Sequence, residues 1–64
     1  MEMLTYSDVA TLLGIPKGTV YAMVHAGAIP HVRLGPRLVR FERTAVLAWL
    51  EEHRVTARTT LAAS

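Results

Sequence analysis

Apolar residues recur along the chain with the spacing of three short helices, and one intervening stretch alternates as strands do. The first helix is predicted over residues 6–13, with a buried face formed by Val9, Ala10, Leu12 and Leu13. Thr5 is a good N-cap residue, and Asp8 can reach back to the Thr5 amide to complete a capping box. Leu4 has the spacing of a hydrophobic staple with Val9, and Gly14 is placed to end the helix in the left-handed conformation.

A second helix is predicted directly after the short turn Gly14-Ile15-Pro16, in which Ile15 is expected to fill the gap between the two helices. Pro16 has no amide hydrogen and a φ angle preset for a helix start. The helix is expected over residues 17–26 and is ended by Gly27. Its predicted buried stripe is Val20, Met23 and Val24. The residues predicted to face outward are Lys17, Gly18, Tyr21, Ala22 and His25, with Thr19 near the edge.

The outward face of this second helix suits the approach to a charged surface. Lys17, Tyr21 and His25 are four residues apart and align along one ridge. Gly18 and Ala22 beside them are small, so the helix can come close to a partner. The helix carries no acidic residue, and its positive N-terminal end also favours contact with phosphate.

A β-hairpin is predicted over residues 31–41, after Ile29-Pro30. A two-residue loop at Gly35-Pro36 would pair Val32 with Val39 and keep the apolar residues on one face. The side chains predicted to face inward are Val32, Leu34, Val39 and Phe41. Arg33 and Arg40 are predicted on the outer face, and Arg37 is predicted at the tip. Because a two-stranded hairpin is not stable alone, it is expected to pack against the helices.

The third helix is predicted over residues 43–53, with an apolar stripe of Val46, Leu47, Trp49 and Leu50. Trp49 is interpreted as a core residue that holds this helix to the other elements. Residues 54–64 form a tail that could extend the helix, fray or contact a neighbouring subunit. The expected fold is therefore α+β and mostly α: one helix-turn-helix domain over residues 1–53, with two helices, a two-stranded β-hairpin and a third packing helix.

Positive charge is concentrated in the predicted hairpin, although the net charge of the chain is only +2. Arg33, Arg37, Arg40 and Arg43 fall within eleven residues, opposed by Glu42 alone. A basic segment on a small domain is typical of a protein that contacts phosphate backbone. The alternative is a solvated hairpin whose arginines serve solubility.

Composition narrows the setting further. The chain has no cysteine, which fits a reducing cytosol. No apolar stretch approaches the ~20 residues of a membrane span, and the N-terminus lacks the profile of a signal peptide. A cytoplasmic location with no membrane partner is therefore expected.

The residues give little support to an enzyme. The three histidines, at positions 25, 31 and 53, have no metal-ligand spacing, and Asp8 is committed to the helix cap. Glu51 and Glu52 are adjacent on a helix and point in different directions. No glycine-rich phosphate loop is present, so no catalytic site, metal or cofactor is predicted. His25 and His31 are either ordinary exposed histidines or phosphate contacts that strengthen on protonation.

Several strings resemble the small MerR-like winged helix-turn-helix proteins, a group that includes phage and plasmid excisionases. They cover about residues 3–52: Leu4-Thr5, Val9-Ala10, Leu12-Leu13-Gly14, Thr19-Val20-Tyr21, Gly27, Ile29-Pro30, Val32-Arg33-Leu34-Gly35 and Ala48-Trp49-Leu50. Two positions depart from the pattern. Pro16 stands where such proteins commonly have a Ser or Thr cap, and Gly18 is unusually flexible for the first turn of a recognition helix.

The resemblance implies a recognition helix in the major groove of double-stranded DNA and a wing in the adjacent minor groove or along its phosphates. The recognition-helix contacts are assigned to Lys17, Gly18, Thr19, Tyr21, Ala22 and His25. The wing contacts are assigned to His31, Arg33, Pro36, Arg37 and Arg40, with Arg43 as a further contact to the DNA backbone. Because the chain has neither Asn nor Gln, the usual bidentate contact to adenine is excluded.

The function expected from this resemblance is an excisionase, or recombination directionality factor, that binds adjacent sites cooperatively and bends DNA for a partner integrase. Head-to-tail assembly of copies on the DNA is expected because one small domain makes few contacts. A small MerR-like transcription regulator of the same fold is the first alternative. A protein-interaction module that does not bind DNA is the second.

Overall fold

The computed structural model describes residues 2–55, so residues 56–64 of the predicted tail lie outside the described part. The elements in chain order are β1 (Met3–Leu4), α1 (Tyr6–Leu13), α2 (Lys17–His25), β2 (Val32–Gly35), β3 (Leu38–Glu42) and α3 (Arg43–Glu52). The fold is α+β, with three helices and a three-stranded antiparallel sheet. It has the arrangement of a winged helix-turn-helix, and the predicted fold class is confirmed.

The predicted caps of α1 are present. The Thr5 hydroxyl accepts a hydrogen bond from the Asp8 amide at 3.1 Å, and the Asp8 carboxylate accepts one from the Thr5 amide at 3.0 Å. Gly14 ends the helix with φ of 68°, in the left-handed conformation. The buried face is narrower than predicted, because Leu12 is 38% exposed.

α2 runs from Lys17 to His25, one residue shorter than predicted, and Pro16 is its N-cap residue. The capping position has no side-chain hydrogen bond, as expected for a proline. Val20 and Val24 are buried as predicted. Gly27 follows the helix with φ of 66°, so it provides the left-handed residue that turns the chain towards β2. We call β2, β3 and the turn between them the wing.

The wing belongs to a three-stranded sheet with the order β1-β3-β2, rather than to a two-stranded hairpin. Met3 pairs with Glu42 and Leu4 with Phe41. The strand β1 was not predicted, because two residues are too short to show an alternating pattern. Its pairing brings the N-terminus beside the start of α3, where the Arg43 amide donates to the Glu2 carbonyl at 2.9 Å.

The predicted hairpin register is wrong by one residue. Val32 pairs with Arg40 and Arg33 with Val39, and the register shifts between Arg33 and Gly35. The two-residue loop is Pro36-Arg37, so the prediction that Arg37 lies at the tip is confirmed. The prediction that Val32 and Leu34 face inward is wrong, since Val32 is 36% and Leu34 58% exposed. Val39 and Phe41 are buried as predicted.

Two physical causes explain this register. Neither Pro36 nor Arg37 has a positive φ, so the turn is not one of the primed types whose twist matches a tight hairpin. The extra residue at Leu34 accommodates the difference in twist between this turn and the two strands. In addition, α1 and α3 pack against β3, whereas β2 contacts chiefly β3. The apolar residues of β2 therefore have no helix to cover them.

The core lies where the three helices meet β1 and β3. Its buried residues are Leu4, Val9, Val20, Val24, Ile29, Val39, Phe41 and Val46. Trp49 is half-buried at the edge of this core, and its indole Nε1 donates to the Ala28 carbonyl at 3.0 Å. This hydrogen bond joins α3 to the chain segment after α2. α3 ends at Glu52, one residue earlier than predicted, and Leu50 of its predicted apolar stripe is 38% exposed. Within residues 2–55, no helix has the length and apolar character needed to cross a membrane.

Candidate nucleic-acid interface

A groove of about 720 Å³ separates the N-terminus of α1 and the outer face of α2 from the wing. We call it the basic groove. Its lining residues are Thr5, Tyr6, Ser7, Lys17, Tyr21, Val24, His25, Arg33, Pro36, Arg37, Leu38, Val39 and Arg40. The helix-turn-helix and the wing thus contribute to a single concave surface, although seven residues lie between His25 and Arg33 in the sequence.

The charge of the basic groove is of one sign. Lys17 comes from α2, and Arg33, Arg37 and Arg40 come from the wing. None of its described lining residues is acidic. Such a concave surface with fixed positive charge attracts a polyanion and raises its association rate.

The structure brings together seven of the predicted contact residues: Lys17, Tyr21, His25, Arg33, Pro36, Arg37 and Arg40. Gly18, Thr19 and Ala22 lie on the exposed side of α2 outside the groove lining. A partner that covered both the groove and this helix face would reach all ten.

Two predicted contact residues lie elsewhere. Arg43 begins α3 and forms an exposed ion pair with Glu2, with 3.6 Å between Nε and Oε1. It lines a separate shallow surface with Asp8 and Leu12. His31 is half-buried, and its Nδ1 lies 2.8 Å from the Ile29 carbonyl, so that nitrogen is the donor of the pair.

Arg40 is the most constrained cation of the groove. It is half-buried, and its Nη1 donates to the carbonyl of Val39 at 2.9 Å. Arg40 also contributes to the electrostatics of the helix cap. The pKa of Asp8 is lowered chiefly by the hydrogen bond from the Thr5 amide, then by the Thr5 side chain, with a smaller attraction from the Arg40 guanidinium.

Sequence reasoning missed the contribution of α1 to the groove. Thr5, Tyr6 and Ser7 line it at the N-terminus of that helix. The ring of Tyr6 packs on the ring of Tyr21, so it supports a predicted contact residue directly. The available signal was the position of Tyr6, an aromatic residue three and four positions before Val9 and Ala10, at the N-terminal end of the apolar stripe of a capped helix.

The described residues show no metal-binding arrangement. No group of three or more His, Cys, Asp or Glu side chains within residues 2–55 is placed to hold an ion. The side chains that line the groove carry guanidinium, ammonium, imidazole and hydroxyl groups, beside aromatic and aliphatic groups.

Comparison with known proteins agrees with this geometry. Residues 3–54 match a family described as "Helix-turn-helix domain". The chain belongs to this helix-turn-helix family. The matched region contains the three helices and the wing, and therefore all the residues of the basic groove.

Two curated relatives come from Mycobacterium tuberculosis, one from strain CDC 1551 / Oshkosh and one from strain ATCC 25618 / H37Rv. Each is named as a "Putative DNA-binding protein" and is 44% identical to this chain over 50 residues. The aligned segment covers 78% of this chain and 63% of each relative. No solved structure matches the chain at a significant level.

Proposed function

We propose that this chain binds double-stranded DNA, with α2 in the major groove and the wing at the adjacent minor groove or its phosphates. The observation that carries the proposal is the basic groove, in which Lys17 of α2 and three wing arginines face one concave surface with no acidic lining residue. Membership of the helix-turn-helix family and the DNA-binding names of the two relatives support it.

The contact chemistry follows from the residue types present. Arg33, Arg37 and Lys17 supply charged donors for phosphates or for guanine edges. Tyr21 and Ala22 supply apolar contact for thymine methyl groups. With no Asn or Gln in the chain, sequence preference then depends on guanine contacts, methyl contacts and groove shape.

The proposed set of DNA-contacting residues also includes Gly18, Thr19, His25, Pro36 and Arg40. DNA contacts by Arg43 and His31 stay predictions, and a bound duplex would have to reach beyond the basic groove to meet them.

We further propose the role of an excisionase, or recombination directionality factor, with an integrase as partner. A single module of this size buries only ~600–1,000 Å² on DNA, so adjacent copies in a head-to-tail array would supply the affinity. The resemblance to small MerR-like proteins supports this role. Cooperative assembly, DNA bending and a cytoplasmic location remain parts of the proposal.

A titration onto DNA from the gene's own neighbourhood tests these proposals. Gel shifts at several salt concentrations should show a ladder of cooperative complexes that weakens steeply with salt. A single complex on a promoter fragment would instead favour the transcription regulator. No salt-sensitive shift on any fragment would contradict DNA binding and favour a protein-interaction module.

Two matched single variants locate the contacts. Arg37→Ala removes one groove cation, and the slope of log K against log salt should become shallower by about 1. Arg54→Ala removes the same charge outside the groove and should leave the slope near that of wild type. Equal effects of the two variants would contradict the groove assignment.

A further inference from the structure

The wing carries an exposed apolar tip, which consists of Leu34, Pro36 and Leu38. Leu34 is 58% and Leu38 43% exposed, and Pro36 in the turn is also exposed. Leu34 is the most exposed large apolar residue in any described helix or strand. Contiguous exposed apolar side chains rimmed by polar residues are typical of contact surfaces.

The backbone directs Leu34 outward. Arg33 pairs with Val39 and Gly35 with Leu38, which leaves Leu34 as the extra residue in the ladder. An extra residue of this kind re-aims a side chain and increases the local twist. Val32, which pairs before the irregularity, is also exposed, so the uncovered face of β2 contributes to the exposure of Leu34 together with the irregularity.

Positive charge surrounds the apolar tip. Arg33 precedes Leu34 and Arg37 precedes Leu38, and both arginines line the basic groove. Leu38 and Pro36 line it as well, whereas Leu34 is not among the lining residues, so the tip extends from the surface assigned to DNA. An apolar wedge adjoined by two arginines complements a minor groove, in which sugar and base surfaces lie between two rows of phosphates.

We propose that the apolar tip inserts into the minor groove and partly unstacks one base step, with Leu34 as the leading side chain. The inference rests on the proposed DNA binding and goes beyond it by naming the element that deforms the duplex. Inserted Leu or Pro side chains kink DNA by about 20–90° towards the major groove. Flexible pyrimidine–purine steps deform most easily, so such a step is expected beneath the wing.

Fluorescence reports this insertion directly. The adenine analogue 2-aminopurine brightens when it is unstacked, and it can be moved one position at a time through a duplex that wild-type protein shifts. Donor and acceptor dyes on the duplex ends report the bend. At saturating wild-type protein, one position should brighten severalfold, and the end-to-end distance should shorten.

Three variants of the full chain separate insertion from mere binding. Leu34→Ala should abolish most of the brightening and most of the shortening at equal DNA occupancy, while Leu34→Met should retain both. Leu12→Ala is the matched control, because Leu12 is also partly exposed but lies on α1 and not in the wing. It should behave as wild type.

The outcomes distinguish this inference from the proposed function. If wild-type protein shifts DNA but no position brightens, or if Leu34→Ala brightens and bends the duplex like wild type, the insertion is wrong and DNA binding stands. Loss of cooperativity in Leu34→Ala with unchanged bending would also overturn it and assign the tip to a protein contact. If wild-type protein binds no DNA, the proposed function itself fails.

Discussion

The ring of Tyr6 stacks on the ring of Tyr21, with centroids 4.1 Å apart and planes inclined by 28°. Tyr6 is also held to the core, because its ring meets the ring of Phe41 edge to face with centroids 5.4 Å apart. Phe41 is fully buried, whereas Tyr21 is 43% exposed. The first residue of α1 thus connects the core to an exposed ring on α2.

Replacement of Tyr6 should therefore affect both stability and binding. Each aromatic pair contributes about 0.5–1.5 kcal/mol beyond its buried area, so Tyr6→Ala should lower the free energy of unfolding by about 2 kcal/mol or more. Tyr6→Phe keeps both ring contacts and should cost little. Urea denaturation measures the difference.

The same two variants test the support of Tyr21. At a temperature where both are folded, Tyr6→Ala should lose DNA affinity and Tyr6→Phe should not. Equal affinity of the two would show that Tyr21 does not need the stacked ring to bind.

The helix cap predicts a dependence of stability on pH. The folded pKa of Asp8 is below its ordinary value of 3.8. The stabilisation is thus fully present above that value and is lost as pH falls through the folded pKa. Thermal melts at about pH 6 and about pH 2.5 should show that the advantage of wild type over Asp8→Asn shrinks in acid. Glu52→Gln changes another exposed carboxylate outside the cap and should show no comparable change.

Most of the fold could be predicted from local sequence signals. Caps and glycines set the ends of α1 and the turn to α2, because each acts through one or two backbone hydrogen bonds within a few residues. The register of β2 could not be predicted from the sequence. It depends on the turn at Pro36-Arg37 and on the absence of a covering helix, and both are properties of the assembled chain.

The candidate site was predictable to a similar degree. Periodicity identified the exposed face of α2, and the run of arginines identified the wing. What the sequence could not show was that Thr5, Tyr6 and Ser7 of α1 complete the groove, or that Arg43 lies outside it beside Glu2. Both follow from the packing of the helices and from the pairing of β1 with β3.

Trp49 supplies a prediction about stability alone. Trp49→Phe removes the Nε1 donor to the Ala28 carbonyl and should lower the free energy of unfolding by about 1 kcal/mol. For a domain of this size the melting temperature should fall by about 4–8 °C. DNA affinity measured below the transition should be unchanged, because neither residue lines the basic groove. A loss of affinity without a loss of stability would contradict this separation.

Gly18 gives opposite predictions for stability and for binding. It lies in the first turn of α2, its φ is not positive, and an added Cβ would meet nothing within 4 Å. Gly18→Ala should therefore raise the free energy of unfolding by about 0.5–1 kcal/mol. Gly14→Ala is the contrast, since φ of 68° at Gly14 strains any side chain and should lower stability.

If α2 approaches DNA as proposed, the methyl group that stabilises the free protein at position 18 occupies space at the contact face. Gly18→Ala should then melt higher and bind more weakly in the same preparation, which no general folding defect can produce. Unchanged affinity would show that Gly18 does not permit a close approach, and that its flexibility has no role in binding.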